Sequence, residues 1–189
     1  MKVSVYTKEC DSVLLFVNGK QQGGPAPSTH ASQFTATFSN VAYAPGNLTA
    51  VGRRNGSACA ARTLLTAGRV ASLRLSVDRA TIRQSRDDLA YVTVTALDAR
   101  GVAVPDAANL VDFALSRAGG EACIELAAVG SGDPRDVSAL QGVRSRKLWR
   151  GNALAILRPA VGGVAGATTL TVSAAGLPSA SLTVHVGAE

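Results

Sequence analysis

The sequence predicts an all-β protein of two tandem β-sandwich domains, residues 1–68 and 69–189. Two observations predict it. Short apolar stretches alternate with polar residues at a period of two, the spacing of a half-buried strand. Clusters of Gly, Pro, Asn and Asp fall between those stretches wherever the chain must reverse.

The elements follow in order. Residues 3–6 form the first strand candidate. Over residues 13–17, Val13, Leu15 and Val17 face one way and Leu14 and Phe16 the other, which predicts a strand buried on both faces. Asn18-Gly19 then supplies the positive-φ pair of a type I′ hairpin. Residues 34–38, 48–51 and 59–65 continue the pattern, separated by Gly23-Gly24-Pro25, Pro45-Gly46-Asn47 and Asn55-Gly56, the last reading as a second hairpin. A unit of this size is small for a sandwich and predicts support from a neighbour. Thr66-Ala67-Gly68 is the predicted joint.

The second domain opens with Leu73, Leu75 and Val77 alternating with Arg74 and Ser76. Residues 90–97 end in the turn Asp98-Ala99-Arg100-Gly101, and strands at 111–115, 123–129, 153–157, 168–174 and 181–186 follow. About seven strands with turns between them is the pattern of an immunoglobulin-like sandwich, here without the Cys…Trp…Cys signature of antibody domains. One stretch breaks the rhythm. Residues 131–150 are polar, basic and long for a connection, with a short helix predicted over 137–143.

Composition narrows the function classes. Apolar residues are 47% and charged residues 17% of the 189, a folding composition. No apolar run reaches the about 18 residues of a membrane helix, so no membrane partner is expected. Lys2 leads directly into strand-like Val3-Ser4-Val5-Tyr6 without a secretory h-region, so Met1 reads as a start placed before an internal fragment. The net charge is +6, densest at Arg144, Arg146, Lys147 and Arg150, a cluster that either meets phosphate or an acidic polymer or, the favoured reading, is a solvated loop. Aromatics are 4%, too few for the stacking platforms of nucleic-acid binding, so nucleic acid is not an expected partner. Cys10, Cys59 and Cys123 lack paired metal-site spacing. Cys10 and Cys59 either pair or serve as small buried hydrophobes.

Acid–base catalysis on a glycosidic bond takes two carboxylates about 5–5.5 Å apart in the retaining case. Asp87, Asp88, Asp98, Asp106, Asp133 and Asp136 sit in turn contexts, and Glu9, Glu121 and Glu125 are scattered, so no catalytic residue is expected. His30 and His185 stand alone and read as surface histidines, and neither a metal nor a cofactor site is expected. No serine stands in G-x-S-x-G, and Gly23-Gly24, Gly119-Gly120 and Gly162-Gly163 read as turns rather than phosphate loops.

The candidate contact residues are Asp133, Arg144, Arg146, Trp149 and Arg150, all on the long loop. Asp133, in Gly130-Ser131-Gly132-Asp133-Pro134, either holds a cation or sugar hydroxyl or caps a turn. Trp149 is the one tryptophan of the chain and either stacks on a sugar face or anchors the core. The three arginines are expected to pair with carboxylates of a partner, leaving the middle of the loop, residues 137–146, mobile in the isolated chain.

Several segments resemble one family in order along the chain. Residues 10–20, an apolar run after Cys10-Asp11 closing on Asn18-Gly19-Lys20, resemble the post-barrel domain of glycoside hydrolase family 2 β-galactosidases. So do Val5-Tyr6-Thr7, residues 41–52 around Pro45-Gly46-Asn47-Leu48, and Leu64-Leu65-Thr66-Ala67-Gly68. Residues 89–94, Val104-Pro105-Asp106-Ala107, residues 130–134 and residues 150–155 resemble the terminal immunoglobulin-like domain of the same enzymes. The resemblance implies a sugar-binding jelly roll, an immunoglobulin-like domain and a catalytic barrel ahead of these two domains, with both catalytic glutamates in the barrel. It therefore implies a chain that is not itself an enzyme. The implied role is a non-catalytic accessory region that packs on the barrel, sets contacts with a second subunit or shapes the active-site rim. The parent would be periplasmic or secreted. The alternative is an independent carbohydrate-binding or adhesion module with weak sugar contact.

Overall fold

The computed structural model describes residues 1–117 and 123–187, in two compact units, Met1–Thr66 and Ala67–Glu189. Gly119, Gly120 and Glu121 lie outside the described residues.

The first unit comprises β1 (Val3–Tyr6), β2 (Ser12–Val17), β3 (Lys20–Gln21), β4 (Ala26–Pro27), a 3-10 turn (His30–Ser32), β5 (Thr35–Phe38), β6 (Asn47–Arg54) and β7 (Ser57–Leu65). One sheet runs β3-β2-β6-β7 with β4 also on β2, and β1 pairs with β5 as a separate two-stranded sheet. Val13 and Leu15 of β2 meet Ala36 and Phe38 of β5 and Val41 in a small core. Asn18 and Gly19 have φ of 49° and 80°, and Asn55 and Gly56 have 50° and 80°, so each Asn-Gly makes the two-residue turn its chemistry favours. Asn18 does more than turn. Its Oδ1 accepts the Asn47 N–H at 2.7 Å and its Nδ2 donates to the Pro45 carbonyl at 2.9 Å. The intervening Gly46 has φ 128°, and a Cβ there would run into the Asn18 side chain. Two of the family-like segments therefore brace each other.

The expectation for β2 is corrected on one face. Val13 and Leu15 are buried, but Leu14 and Phe16 remain half-exposed, because the second layer of this unit covers only one side of the sheet. Cys10 and Cys59 form a disulfide with Cα atoms 6.2 Å apart, resolving the alternative that sequence left open.

The second unit comprises β8 (Val70–Val77), β9 (Thr81–Arg83), β10 (Ala90–Asp98), β11 (Leu110–Ser116), β12 (Ile124–Gly130), β13 (Ser145–Lys147), β14 (Asn152–Pro159), β15 (Gly166–Ser173) and β16 (Ala180–Gly187). One sheet runs β12-β14-β10-β8 and the other β13-β11-β15-β16-β9. All pairs are antiparallel except β16 with β9. Val92, Val94 and Leu157 from the first sheet and Val111, Leu170 and Val172 from the second share one dry core. Alternate positions point outward, as a two-sheet packing requires. The chain is all-β, with no α-helix among the described residues. Four strands that alternation does not reveal, β3, β4, β9 and β13, are two or three residues long and owe their existence to a neighbour.

Candidate functional site

The predicted contact loop crosses from β12 in one sheet to β13 in the other. The helix predicted over residues 137–143 does not form. Leu140 gives its carbonyl to the Val129 N–H at 2.8 Å and Arg144 gives its own to Phe113 at 2.7 Å, so both are spent on strand-like pairing. Gly142, at φ 72°, also leaves the helical region.

Arg146 is the largest departure from expectation. In place of a free cation facing a partner, it is 4% exposed. Its Nη1 donates to Asp136 Oδ2 at 2.7 Å and to Ser138 Oγ at 2.5 Å, while Nη2 donates to the Ala139 carbonyl. The register explains the burial: Arg146 lies opposite Val111, so its side chain leaves β13 on the inward face. Its Nε has no acceptor, the one fully buried side-chain nitrogen or oxygen so placed among the described residues.

Asp136 closes the same knot. It accepts the Ser138 hydroxyl, the Ser138 N–H at 3.0 Å and Arg146. Those Ser138 hydrogen bonds, followed by that of Arg146, hold its carboxyl near 2 instead of 3.8. Asp133 takes the turn-capping alternative. Its Oδ1 accepts the Arg135 N–H at 3.0 Å and Arg135 Nε at 3.1 Å, and this guanidinium lowers its pKa. Sequence weighed Asp136 only as one of several turn acids and did not single out Ser138 or Arg135. The available signal was the Asp-x-Ser spacing of an Asx turn.

Trp149 is positioned by a hairpin that the sequence reading passed over. Trp149 and Asn152 exchange backbone hydrogen bonds of 2.9 and 3.0 Å, with Arg150 (φ 48°) and Gly151 (φ 75°) as the two turn residues. Arg is a poor occupant of the left-handed position, and its guanidinium lies 4.6 Å above the Trp149 ring centre. Trp149 is half-buried and Arg150 exposed. Asp133, Asp136, Arg146 and Trp149 line one cleft of about 600 Å³, which Arg144 does not join. Arg144 and Arg150 are exposed and form no ion pair among the described residues.

Three further acids, Asp98, Asp88 and Glu125, serve the fold. Asp98, 3% exposed, accepts N–H groups from Gly68, Arg100 and Val102 at 2.8–2.9 Å. The Gly68 and Val102 hydrogen bonds, then those from Arg100, hold its pKa at about 2. Asp88 accepts the Arg83 N–H at 2.8 Å and Arg79 at 2.7 Å, with its pKa lowered first by the Arg83 backbone. Glu125 lies between Arg86 and Arg158, at 2.9 and 2.5 Å. No group of three His, Cys, Asp or Glu capable of holding a metal occurs among the described residues.

The geometry defines an all-β chain whose buried carboxylates each secure a turn or strand of their own unit. Residues 73–183 match the family Glycoside hydrolase family 2 C-terminal domain 5, and residues 1–60 match a Domain of unknown function (DUF4982). The chain belongs to the glycoside hydrolase family 2 C-terminal domain 5 family. It is 32% identical over 182 residues to Beta-galactosidase BoGH2A of Bacteroides ovatus, covering 95% of this chain and 20% of that protein. The chain thus spans about a fifth of the length of the curated relative it matches. A glycosyl hydrolase family 2 member from Bacteroides cellulosilyticus superposes with a TM-score of 0.87 at 33% identity, over 98% of this chain and 23% of the other. A beta-glycosidase from Bacteroides vulgatus gives 0.84 at 26% identity, over 98% and 22%.

Proposed function

We propose that the chain is the non-catalytic accessory C-terminal region of a β-galactosidase-like glycoside hydrolase, which packs on the catalytic barrel that the resemblance implies, sets contacts with a second subunit or shapes the active-site rim. One observation carries this reading. Along the register, Val13, Leu15 and Val17 stand opposite Gly52, Ala50 and Leu48, which stand opposite Ala60, Arg62 and Leu64. Directly paired residues share a face, so Ala60, Arg62 and Leu64 belong to the core face of the sheet. All nine residues of β7 are nevertheless exposed, Leu64 by 60%. A long bare edge strand with an uncovered core face invites pairing or aggregation, and natural proteins cover it. A chain one fifth as long as its relative has ample parent polypeptide to do so. The Cys10–Cys59 disulfide supports a periplasmic or secreted parent.

The test places Leu64→Glu in both contexts. Its stability effect in the 189-residue chain is expected to stay within about 0.5 kcal/mol, since Leu64 is exposed there. In the parent enzyme the same change should lower the melting temperature. Neutrality in both contexts overturns the packing reading. The chain alone should not hydrolyse a chromogenic galactoside, and turnover that survives repurification overturns the non-catalytic reading.

A further inference from the structure

We propose that Asn55, at the tip of the β6–β7 hairpin, is a modification site, where the side-chain amide is lost through a cyclic imide with Gly56 to leave aspartate or isoaspartate. The inference does not rest on the accessory reading.

Imide formation requires the next backbone nitrogen to reach the asparagine side-chain carbon, and a side chain on that next residue crowds the approach. Glycine has no Cβ to do so. Asn-Gly occurs twice in the chain, at Asn18-Gly19 and Asn55-Gly56, while Asn40, Asn47, Asn109 and Asn152 precede Val41, Leu48, Leu110 and Ala153. The two Asn-Gly turns share one backbone geometry, with φ of 49° and 80° in the first and 50° and 80° in the second. All four residues are exposed, and a Cβ at either glycine would meet nothing within 4 Å. Dipeptide, turn type and solvent access therefore do not tell the two sites apart.

The side chains do. Asn18 is held at both ends of its amide, Oδ1 accepting the Asn47 N–H at 2.7 Å and Nδ2 donating to the Pro45 carbonyl at 2.9 Å. To turn its Cγ towards Gly19 it must break both bonds. The Asn55 side chain makes no hydrogen bond among the described residues; its backbone N–H donates to Asp11 Oδ2 at 3.0 Å. Its hairpin is also loosely tied. The register of β6 on β7 shifts between Gly52 and Arg53, so only the pairs Arg53–Ala58 and Arg54–Ser57 lie between that irregularity and the turn.

In the reaction, the Gly56 nitrogen gives its proton to hydroxide and attacks Asn55 Cγ. Nδ2, protonated by water, leaves as ammonia. Water then opens the imide: addition at Cγ gives aspartate, and addition at the main-chain carbonyl gives isoaspartate, whose backbone runs on through Cγ. Nothing is oxidised or reduced. Either product places a carboxylate beside Asp11, and isoaspartate lengthens a turn whose two-residue spacing closes the hairpin.

The folded 189-residue chain is aged in mildly alkaline buffer, then reduced, alkylated and digested after Lys and Arg, which puts Asn18 in residues 9–20 and Asn55 in residues 55–62. Mass spectrometry reads amide-to-acid conversion at each site against an unaged sample. We expect Asn55 to convert at least about tenfold faster than Asn18, the effect of two hydrogen bonds that Asn18 alone must break. In the chain reduced and unfolded in guanidinium chloride, the two rates should converge. Equal rates in the folded chain, faster loss at Asn18 or no conversion at Asn55 overturns the proposal. A rate difference that persists undiminished on unfolding does so as well, and aspartate formed without isoaspartate overturns the imide route.

Discussion

Gly52, on β6, faces the Cys10–Cys59 disulfide, and adding one methyl there isolates what the crosslink contributes. A Cβ at this position would overlap Cys10 Sγ and lie 3.0 Å from Cys10 Cβ and 3.2 Å from Cys59 Sγ. The bridged side chains cannot swing aside, so Gly52→Ala should cost about 1–3 kcal/mol, as overpacking in a filled site does. The bridge closes a loop with a sequence separation of 49. In the chain-entropy model that is about 4 kcal/mol of stabilisation through the unfolded state. Replacing both cysteines by alanine therefore removes about 4 kcal/mol from the first unit but also frees the space over Gly52. In that background Gly52→Ala should be neutral, or stabilising by about 0.5 kcal/mol, because Gly weakens a strand interior relative to Ala. Native-state hydrogen exchange at β2 and β6 amides is the assay, since Trp149 lies in the other unit and fluorescence would not report. Equal losses from Gly52→Ala with and without the disulfide would refute the reasoning.

Three further outcomes are expected. Asp98 and Asp136 have folded-state pKa values of about 2 against an ordinary 3.8. A depressed carboxylate contributes stability that is complete above its unfolded pKa and is lost as pH falls through the folded one. Acid titration of the second unit should therefore show stability draining from about pH 4 towards 2, and Asp98→Asn should flatten that slope. A slope unchanged in Asp98→Asn would remove Asp98 as its source. Arg146→Lys cannot reproduce a three-partner fork, so amide exchange at residues 136–140 should accelerate at least tenfold, about 1.4 kcal/mol of local opening. Unchanged exchange would mean that the loop is held by its backbone alone. Arg150→Asn puts the residue that tolerates left-handed φ into the Trp149–Asn152 turn and should stabilise the second unit by up to about 1 kcal/mol in urea unfolding.

Local rules made most of the fold legible in the sequence. Alternation predicts β10, β14 and β16 because each is half of a two-sheet sandwich, where period-two burial is the only solution. Asn18-Gly19 and Asn55-Gly56 announce their hairpins because few other dipeptides accept two positive φ values cheaply. The same reasoning loses sight of Arg150-Gly151, where a cation over Trp149 helps stabilise a turn residue that propensity disfavours. Within the contact loop, the sequence pointed to a basic, polar segment and marked Asp133 and Trp149 as worth weighing. It took Arg146 for a solvated cation, since charge predicts exposure until a carboxylate, a hydroxyl and a carbonyl converge to replace water.

Tertiary structure alone decided four things. It paired Cys10 with Cys59, because pairing depends on which strands become neighbours. It turned a predicted helix into strand-to-strand links, because the carbonyls of Leu140 and Arg144 found partners on β12 and β11. It gathered Asp133, Asp136, Arg146 and Trp149 around one cleft from positions spread over seventeen residues. It also left β7 bare. The register puts Ala60 and Leu64 on the core face of the sheet, but only the packing of a second layer determines whether that face is covered.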